Sequence, residues 1–175
     1  MNGTKKASVE TQPVIIKPLD LTQRSQARAI YALVATNRSY FEKFEGIPAG
    51  AYADIDAIMN HARDWPSIKR WGIYQGDGLT LAGYVSLVPQ GSRVGRIGYN
   101  VAEEFAGRKL ATEALIRVLK EKENVRDYDV FQAVVDDDHV VSQQVLKNAG
   151  FVYKTSSPDT ERQKMEMIFE YQVKK

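Results

Sequence analysis

Residues 97–115 read IGYNVAEEFAGRKLATEAL, and this stretch decides which fold the sequence predicts. The residues at 97–101 are typical of a strand, and those at 103–109 form a turn that includes small and basic side chains. Apolar residues then recur at the spacing of a helix that packs on a sheet. These are Leu110, Ala111, Ala114, Leu115, Val118 and Leu119. The stretch therefore predicts a strand, a turn and a helix in direct succession.

A turn that leads into a helix is a suitable place to bind an anion. The first N–H groups of a helix lack partners within it, and the helix dipole adds partial positive charge there. Arg108 and Lys109 would add charge-assisted contacts to phosphates, and Gly107 and Ala111 would let a ligand approach the backbone. An ordinary helix start with solvated basic side chains is the alternative. The chain has no P-loop pattern and no G-x-G-x-x-G fingerprint between a strand and a helix.

The rest of the chain predicts a mixed α/β fold in which an antiparallel half joins a βαβ unit. Strands are predicted at 14–16, 70–74, 79–88, 93–101, 130–135, 151–155 and 164–173, and helices at 21–37, 53–63, 104–122 and 140–148. The strand at 130–135 is almost wholly apolar, which predicts that it is covered on both faces. We expect a short helix and a loop at 38–52, a polar loop at 156–162, and a left-handed C-cap at Gly150.

Several smaller features have both a structural and a functional interpretation. Asp20 or Thr22 is expected to cap the first helix, and the acids at 136–138 favour a cap for the last helix over a metal site, so we predict no metal. Five aromatic residues would either line an acceptor pocket or pack in the core. They are Tyr40, Phe41, Phe44, Tyr52 and Trp65.

Composition excludes several classes of protein. The chain has 175 residues, 43% of them hydrophobic, and a formal charge of +2, which gives no strong attraction to nucleic acid or to a membrane surface. It has no cysteine, which suits a cytoplasmic location, and its sequence contains no apolar run long enough to cross a bilayer. We expect a flexible tail at 1–12 and a single domain at 13–175.

Three segments together resemble the GNAT family of acetyltransferases. They are IGY at 97–99, GRKLATEAL at 107–115 and SQQVLKNAGF at 142–151. The resemblance extends over about residues 14–173 and is greatest to the branch that acetylates the N-termini of ribosomal proteins. It implies the GNAT fold, with a central twisted mixed sheet of about six to seven strands and helices on both faces. It also implies acetyl-CoA as cosubstrate and direct transfer to an amine acceptor, a peptide or a small molecule, by a monomer or homodimer.

The resemblance also implies roles for individual residues. Ser142 and Asn100 are the predicted catalytic residues, and a backbone N–H near Asn100 or Val101 would face the thioester oxygen. The predicted acetyl-CoA contacts are Val101, Gly107, Arg108, Lys109, Leu110, Ala111, Thr112, His139 and Ser142.

The chain departs from the family pattern at three positions. Lys109 replaces the central glycine of the turn, His139 replaces an asparagine, and Arg96 replaces an acid that often precedes the IGY strand. Other interpretations of the site residues stay open: Ser142 as an exposed helical serine, His139 as a helix-start residue and Tyr99 as core packing. These departures also allow a second hypothesis, a CoA-binding module without turnover.

Overall fold

The computed structural model describes residues 13–44, 52–76 and 78–175. The predicted tail at 1–12, most of the loop after the second helix and one residue of the turn after the second strand lie outside the described residues. The strands are β1 (Val14–Pro18), β2 (Lys69–Gln75), β3 (Leu81–Pro89), β4 (Val94–Val101), β5 (Val130–Asp136), β6 (Val152–Asp159) and β7 (Lys164–Gln172). The helices are α1 (Arg24–Thr36), α2 (Arg38–Phe44), α3 (Ile55–Asp64), α4 (Leu110–Lys120), α5 (Lys122–Asp127) and α6 (Val140–Asn148), with a 3₁₀ turn at Glu103–Phe105.

The strands form one seven-stranded sheet in the order β1-β2-β3-β4-β5-β7-β6. Every neighbouring pair is antiparallel except β4 and β5, which are parallel and are connected through α4 and α5. A parallel pair needs a crossover of this kind, because a tight hairpin reverses the chain direction. The predicted mixed α/β fold, an antiparallel half joined to a βαβ unit, is confirmed.

The two parallel strands separate soon after they meet. Their register runs from Val94 opposite Val130 to Arg96 opposite Gln132 and then stops. Beyond that rung, the rest of β4 faces β5 across an open cleft, so the backbone groups on that edge of β4 receive no partner from β5. This cleft between β4 and β5 is the feature that positions the functional site.

Apolar side chains are buried on both faces of the sheet. The larger core packs α4 and α6 against alternate residues of the strands, such as Val85, Leu87 and Ile97. A smaller core joins α1, α2 and α3 to the other face, near Tyr84. The two faces follow from the alternation of side chains along each strand. Among the described residues, none of the helices is both long and apolar enough for a membrane span.

Three predictions about individual elements are wrong. The helix expected from residue 104 begins at Leu110, because Gly107 and Lys109 have φ values of 76° and 62° that interrupt helical geometry, and it ends at Lys120 before the separate α5. The loop expected from 156 is still strand as far as Asp159, because backbone pairing with β7 continues there whatever the side chains are. In β5 the residues Phe131, Ala133, Val135 and Asp136 are buried and the residues between them are half-buried, so its second face is covered only in part.

The predicted caps have a mixed outcome. Gln23, not Asp20 or Thr22, is the N-cap residue of α1, because the Asp20 carboxylate instead binds the Thr22 N–H at 3.0 Å and its hydroxyl at 2.6 Å. No side chain caps α6 either. Gly150 is confirmed as the left-handed residue after α6, with φ of 97°. Its N–H donates to Lys147 and the next N–H to Leu146.

Candidate active site

A cavity of about 430 Å³ opens where β4 ends beside the start of α4 and the side of α6. Every residue predicted to bind acetyl-CoA or to act in catalysis lines it. They are Asn100, Val101, Gly107, Arg108, Lys109, Leu110, Ala111, Thr112, His139 and Ser142. Tyr40 and Phe41 of α2 add part of an aromatic wall, whereas Trp65 is 58% exposed and outside this cavity. The fold therefore gathers these residues in one place, while their individual roles stay predictions.

The turn before α4 presents its N–H groups to this cavity. Within the described chain, no acceptor takes the N–H groups from Gly107 to Thr112, and the helix ladder begins only with Glu113 N–H donating to Lys109 carbonyl at 3.0 Å. Glu103 and Glu104 are exposed in the preceding 3₁₀ turn. The result is a run of N–H donors that the described chain leaves unpaired, at a helix N-terminus in the cavity wall, an arrangement that suits phosphate.

Lys109 is the N-cap residue of α4 and occupies the left-handed region, with φ of 62° and ψ of 9°. A residue with a Cβ pays about 1–2 kcal/mol for this conformation, and glycine does not. The backbone of the turn is thus shaped as if glycine were present, with a lysine in its place. The Lys109 side chain is exposed at the cavity wall.

Replacing Lys109 by glycine is expected to stabilise the protein by about 0.5–1 kcal/mol, because relief of strain outweighs the greater entropy of glycine in the unfolded chain. For a domain of this size that raises the melting temperature by roughly 1–4 °C. Lys109→Ala is the matched control, since it removes the same charge and keeps the strained backbone. Equal melting temperatures for the two variants would contradict the prediction.

Arg108 is held within the turn. Its guanidinium donates to Gln75 Oε1 at 3.1 Å and to the Glu104 carbonyl at 3.0 Å, and it lies 5.2 Å from the centre of the Phe105 ring. These contacts fix the guanidinium beside the cavity with some donors already used. A phosphate contact by Arg108, as predicted from the sequence, has to use the remaining ones.

Tyr99 and Ser142 form a short polar contact in the cleft. The Tyr99 hydroxyl lies 2.6 Å from Ser142 Oγ and donates to the Ser142 carbonyl at 3.1 Å. The Tyr99 ring packs against the large core. Its hydroxyl connects β4 to the first turn of α6. The interpretation of Tyr99 as core packing therefore describes its ring but not its hydroxyl. The hydroxyl contact with Ser142 was not predicted from the sequence.

Asn100 points to the opposite face of β4 from Tyr99. It is buried, and its Nδ2 donates to the Tyr84 hydroxyl at 2.9 Å. No described group donates to its Oδ1, and no fully buried side-chain oxygen in the described residues lacks a partner, so Oδ1 is accessible from the cavity. Tyr84 thus orients the amide so that an acceptor oxygen faces the open space.

The backbone of β4 supplies an inward-facing donor. Ala102 N–H bonds to the Ala82 carbonyl on β3 at 2.8 Å. Successive N–H groups point to opposite edges of a strand, so the N–H of Val101 points to the other edge, toward the cleft. The sequence left the choice between Asn100 and Val101 open, and this geometry selects Val101 as the donor that faces the cleft.

His139 is the N-cap residue of α6. Burial lowers its pKa below the usual value, against the opposing effects of Asp136 and Asp138. The ring is therefore neutral at pH 7, and its protonation is not needed to complete the site. Its place in the cavity wall agrees with the predicted contact, without showing what it binds.

A second cavity, of about 470 Å³, lies along the same cleft and shares Tyr99, His139 and Ser142 with the first. Its floor includes Ser86 and Arg96, which alternate with residues of the large core and so face away from α4. Carboxylates of the β6–β7 hairpin and of β5 complete its wall. These are Asp136, Asp159, Glu161 and Glu166.

The charged wall of the second cavity was missed from the sequence. Asp136 is 4% exposed and accepts from Arg162 at 2.9 Å and 3.1 Å and from Lys164 at 2.9 Å. These contacts replace the helix cap that the acids at 136–138 were expected to provide. The only sequence signal was that Lys164 and Glu166 are two positions apart in a predicted strand, which places both side chains on one face of β7.

The chain matches the model of the acetyltransferase (GNAT) domain family over residues 15–152. No curated protein is similar enough in sequence to match it. Many solved structures share its fold. Ribosomal-protein-S5-alanine acetyltransferase from Vibrio fischeri superposes with a TM-score of 0.78 at 13% identity, over 91% of this chain and 93% of that one.

Two further structures broaden the comparison. The ribosomal L7/L12 α-N-protein acetyltransferase RimL, in complex with coenzyme A, gives a TM-score of 0.78 at 17% identity, with 95% and 97% of the two chains covered. A chimeric spermidine N-acetyltransferase from Vibrio cholerae gives 0.73 at 16% identity, with 91% and 95% covered. At such identities these neighbours support the fold alone, and the family match over most of the sequence carries the assignment. The chain is an acetyl-CoA-dependent N-acetyltransferase and belongs to the GNAT family.

Proposed function

We propose that this enzyme acetylates the N-terminal amino group of a protein or peptide by direct transfer, with both substrates bound at once. The observation that carries the proposal is the Tyr99–Ser142 contact at the junction of the two cavities. One cavity opens at the anion-binding turn and the other opens beside charged side chains. Two substrates that enter from these two sides would meet at this contact.

The first cavity suits coenzyme A in both its charged and its apolar parts. The N–H groups from Gly107 to Thr112 would hold the pyrophosphate, since they lie at a helix N-terminus in the cavity wall and have no acceptor in the described chain. Val140 and Val141, which are 68% and 70% exposed, would cover the apolar part of the pantetheine arm. When bound there, acetyl-CoA supplies an activated acetyl thioester.

The residues around the junction have complementary roles in this proposal. The Val101 N–H would stabilise the negative charge that develops on the thioester oxygen. Ser142 Oγ, oriented by Tyr99, would donate a hydrogen bond to the departing thiolate, and the proton that the attacking amine loses would pass to the thiolate or to water. Asn100 Oδ1 would accept a hydrogen bond from the amine and so orient it.

The second cavity is the proposed acceptor site. It is open and charged, and it continues along β4 beyond the junction, which favours an extended peptide over a compact amine. Neighbours named for ribosomal proteins and for spermidine share the fold, so the fold does not choose between these acceptors. A CoA-binding module without turnover, the other hypothesis drawn from the sequence, is the outcome that would overturn the assignment as an enzyme.

The test is release of free thiol from acetyl-CoA in the presence of a panel of N-terminal peptides, polyamines and amino acids. We expect acetyl-CoA to raise the melting temperature, because a ligand that binds only the folded state stabilises it, and we expect thiol release with peptides. Stabilisation without thiol release over the whole panel would support the module. Turnover with polyamines alone would replace the peptide by a small amine.

We also propose that the enzyme works in the cytoplasm, as a monomer or homodimer that needs neither nucleic acid nor a membrane. The absence of cysteine and the formal charge of +2 support this. Sedimentation with and without acetyl-CoA would establish the oligomeric state.

A further inference from the structure

Most charged side chains in the wall of the second cavity are already paired. Arg162 contacts Asp136 at 2.9 Å, Asp159 at 2.6 Å and Glu166 at 2.9 Å, and Lys164 adds a second contact to Asp136. The hydrogen bond that Arg162 donates to Asp159, and then those that it donates to Asp136, raise its pKa, so it stays charged. This network sets two cations against three carboxylates, and Asp138 adds a fourth at Lys164, so it keeps a net negative charge while its members are already paired.

Two charged side chains of the cavity wall stay outside this network. Arg96 is exposed on β4, and no carboxylate or carbonyl of the described chain accepts from its guanidinium. Glu161 is exposed on the β6–β7 hairpin, where only its backbone N–H is bound, to the Asp159 carboxylate at 3.0 Å. The carboxylate of Glu170 is engaged by Gln132 at 2.9 Å and by Lys154 at 3.6 Å. Arg96 is therefore a cation in the cavity wall with its donors available.

Arg96 occupies a particular place in the cleft. It forms the last rung between β4 and β5, opposite Gln132, where the strands begin to separate. Its side chain lies on the same face of β4 as that of Asn100. The residue between them on that face is Gly98, which has no side chain to fill the floor of the second cavity. At about 3.3 Å per residue, Arg96 lies roughly 13 Å along the strand from Asn100.

We propose that Arg96 binds an anionic group of the acceptor, a carboxylate or a phosphate, that is several bonds away from the amine. This inference rests on the proposed function, since it takes the amine to lie near Asn100. The distance is too long for the α-carboxylate of a free amino acid. An extended peptide advances about 3.3 Å per residue, so an acidic side chain at its second or third position falls within the span. Guanidinium is suited to this role because it binds carboxylate and phosphate through two parallel hydrogen bonds.

The experiment compares C-terminally amidated peptides that differ at one residue. One series carries aspartate, asparagine or lysine at the second position, and another carries them at the third. A further pair of peptides carries phosphoserine or serine at the same position, to separate a phosphate from a carboxylate source; equal kcat/KM for this pair would exclude phosphate. We expect kcat/KM to favour the aspartate peptide over the asparagine peptide by about tenfold, mainly through KM, because a charge-assisted bond is gained on binding.

Variants of Arg96 test whether this side chain causes the preference. Arg96→Ala is expected to reduce the aspartate-to-asparagine ratio to about one, and Arg96→Glu to shift the preference to the lysine peptide. Arg28→Ala removes an exposed arginine of α1 outside both cavities and is expected to retain the ratio. A ratio that survives in Arg96→Ala, or that is absent from the unmodified enzyme, would overturn the proposal.

A binding measurement separates this inference from the proposed function. Calorimetry with the CoA-loaded protein compares the affinities of the aspartate and asparagine peptides without any need for turnover. If no amine supports thiol release but the aspartate peptide still binds more tightly through Arg96, the proposed reaction fails and the anion site stands. If peptides are acetylated with no dependence on charge, the reaction stands and the anion site fails.

Discussion

Replacing Gly83 by alanine is expected to lower the melting temperature by roughly 10 °C, the largest stability effect of the substitutions proposed for this enzyme. A Cβ on Gly83 would lie 2.1 Å from the Asn100 carbonyl oxygen and 3.0 Å from the Val101 Cα. Both neighbours are backbone atoms of the paired strand β4, so no side-chain rotation relieves the clash. A cost of about 3 kcal/mol, at the upper end of typical overpacking, gives this shift in a domain of this size.

The same substitution is expected to lower turnover as well, because β4 has to move where it carries Asn100 and the Val101 N–H. Gly98→Ala is the control for stability, since its Cβ would meet only Ser86 Oγ, at 3.2 Å, and that hydroxyl can rotate. Thermal unfolding of the two variants beside the unmodified protein provides the comparison. Equal melting temperatures would mean that β3 and β4 accept a methyl group at their contact, and the account of Gly83 would be wrong.

Replacing Ser142 by alanine is expected to reduce kcat by about tenfold to a hundredfold, the effect of losing one hydrogen bond to a charged group. The KM for acetyl-CoA should change little, because the proposed function assigns the charged part of the molecule to the turn before α4. Tyr99→Phe removes the hydroxyl that lies 2.6 Å from Ser142 Oγ and should give a smaller loss of kcat, since the serine remains but is less well oriented.

A serine elsewhere on a helix provides the matched control for this experiment. Ser25 is exposed on α1 and lies outside both cavities, so Ser25→Ala should leave kcat unchanged. Steady-state kinetics by thiol release, with melting temperatures for each variant, separates loss of function from loss of fold. If Ser142→Ala turns over as fast as the unmodified enzyme, Ser142 has no part in the reaction and is an ordinary helical serine.

Local patterns were reliable where neighbouring residues determine the backbone. Gly150 was predicted as the left-handed residue after α6, because the capping bonds involve only the preceding turn. The strand, turn and helix of 97–115 were recognised for the same reason, although the left-handed Lys109 delayed the start of α4. The helix caps predicted at Asp20 and at 136–138 do not form, because these carboxylates bind other groups. Asp20 accepts from Thr22 in the turn before α1, and Asp136 accepts from Lys164 on β7.

Contacts between distant parts of the chain were beyond this kind of reasoning. Tyr99 meets Ser142 across 43 positions, and Asp136 meets Arg162 across 26, and no periodicity encodes either pairing. The free guanidinium of Arg96 also becomes informative only when the pairing of the surrounding carboxylates is known. Site residues were predicted as a set, and the structure supplied their orientation.

The amino-acid sequence alone predicted the succession of strands and helices apart from the separate α5, because hydrophobic spacing and turn chemistry act over a few residues. The resemblance of three segments to the GNAT family supplied the family and the set of residues that line the first cavity. Tertiary structure alone decided where β4 and β5 separate, which backbone N–H faces the cleft, and which charged groups remain available for an acceptor. The physical reason is that a sheet brings together residues that are far apart in the chain, and only their three-dimensional pairing leaves Val101 and Arg96 with open donors.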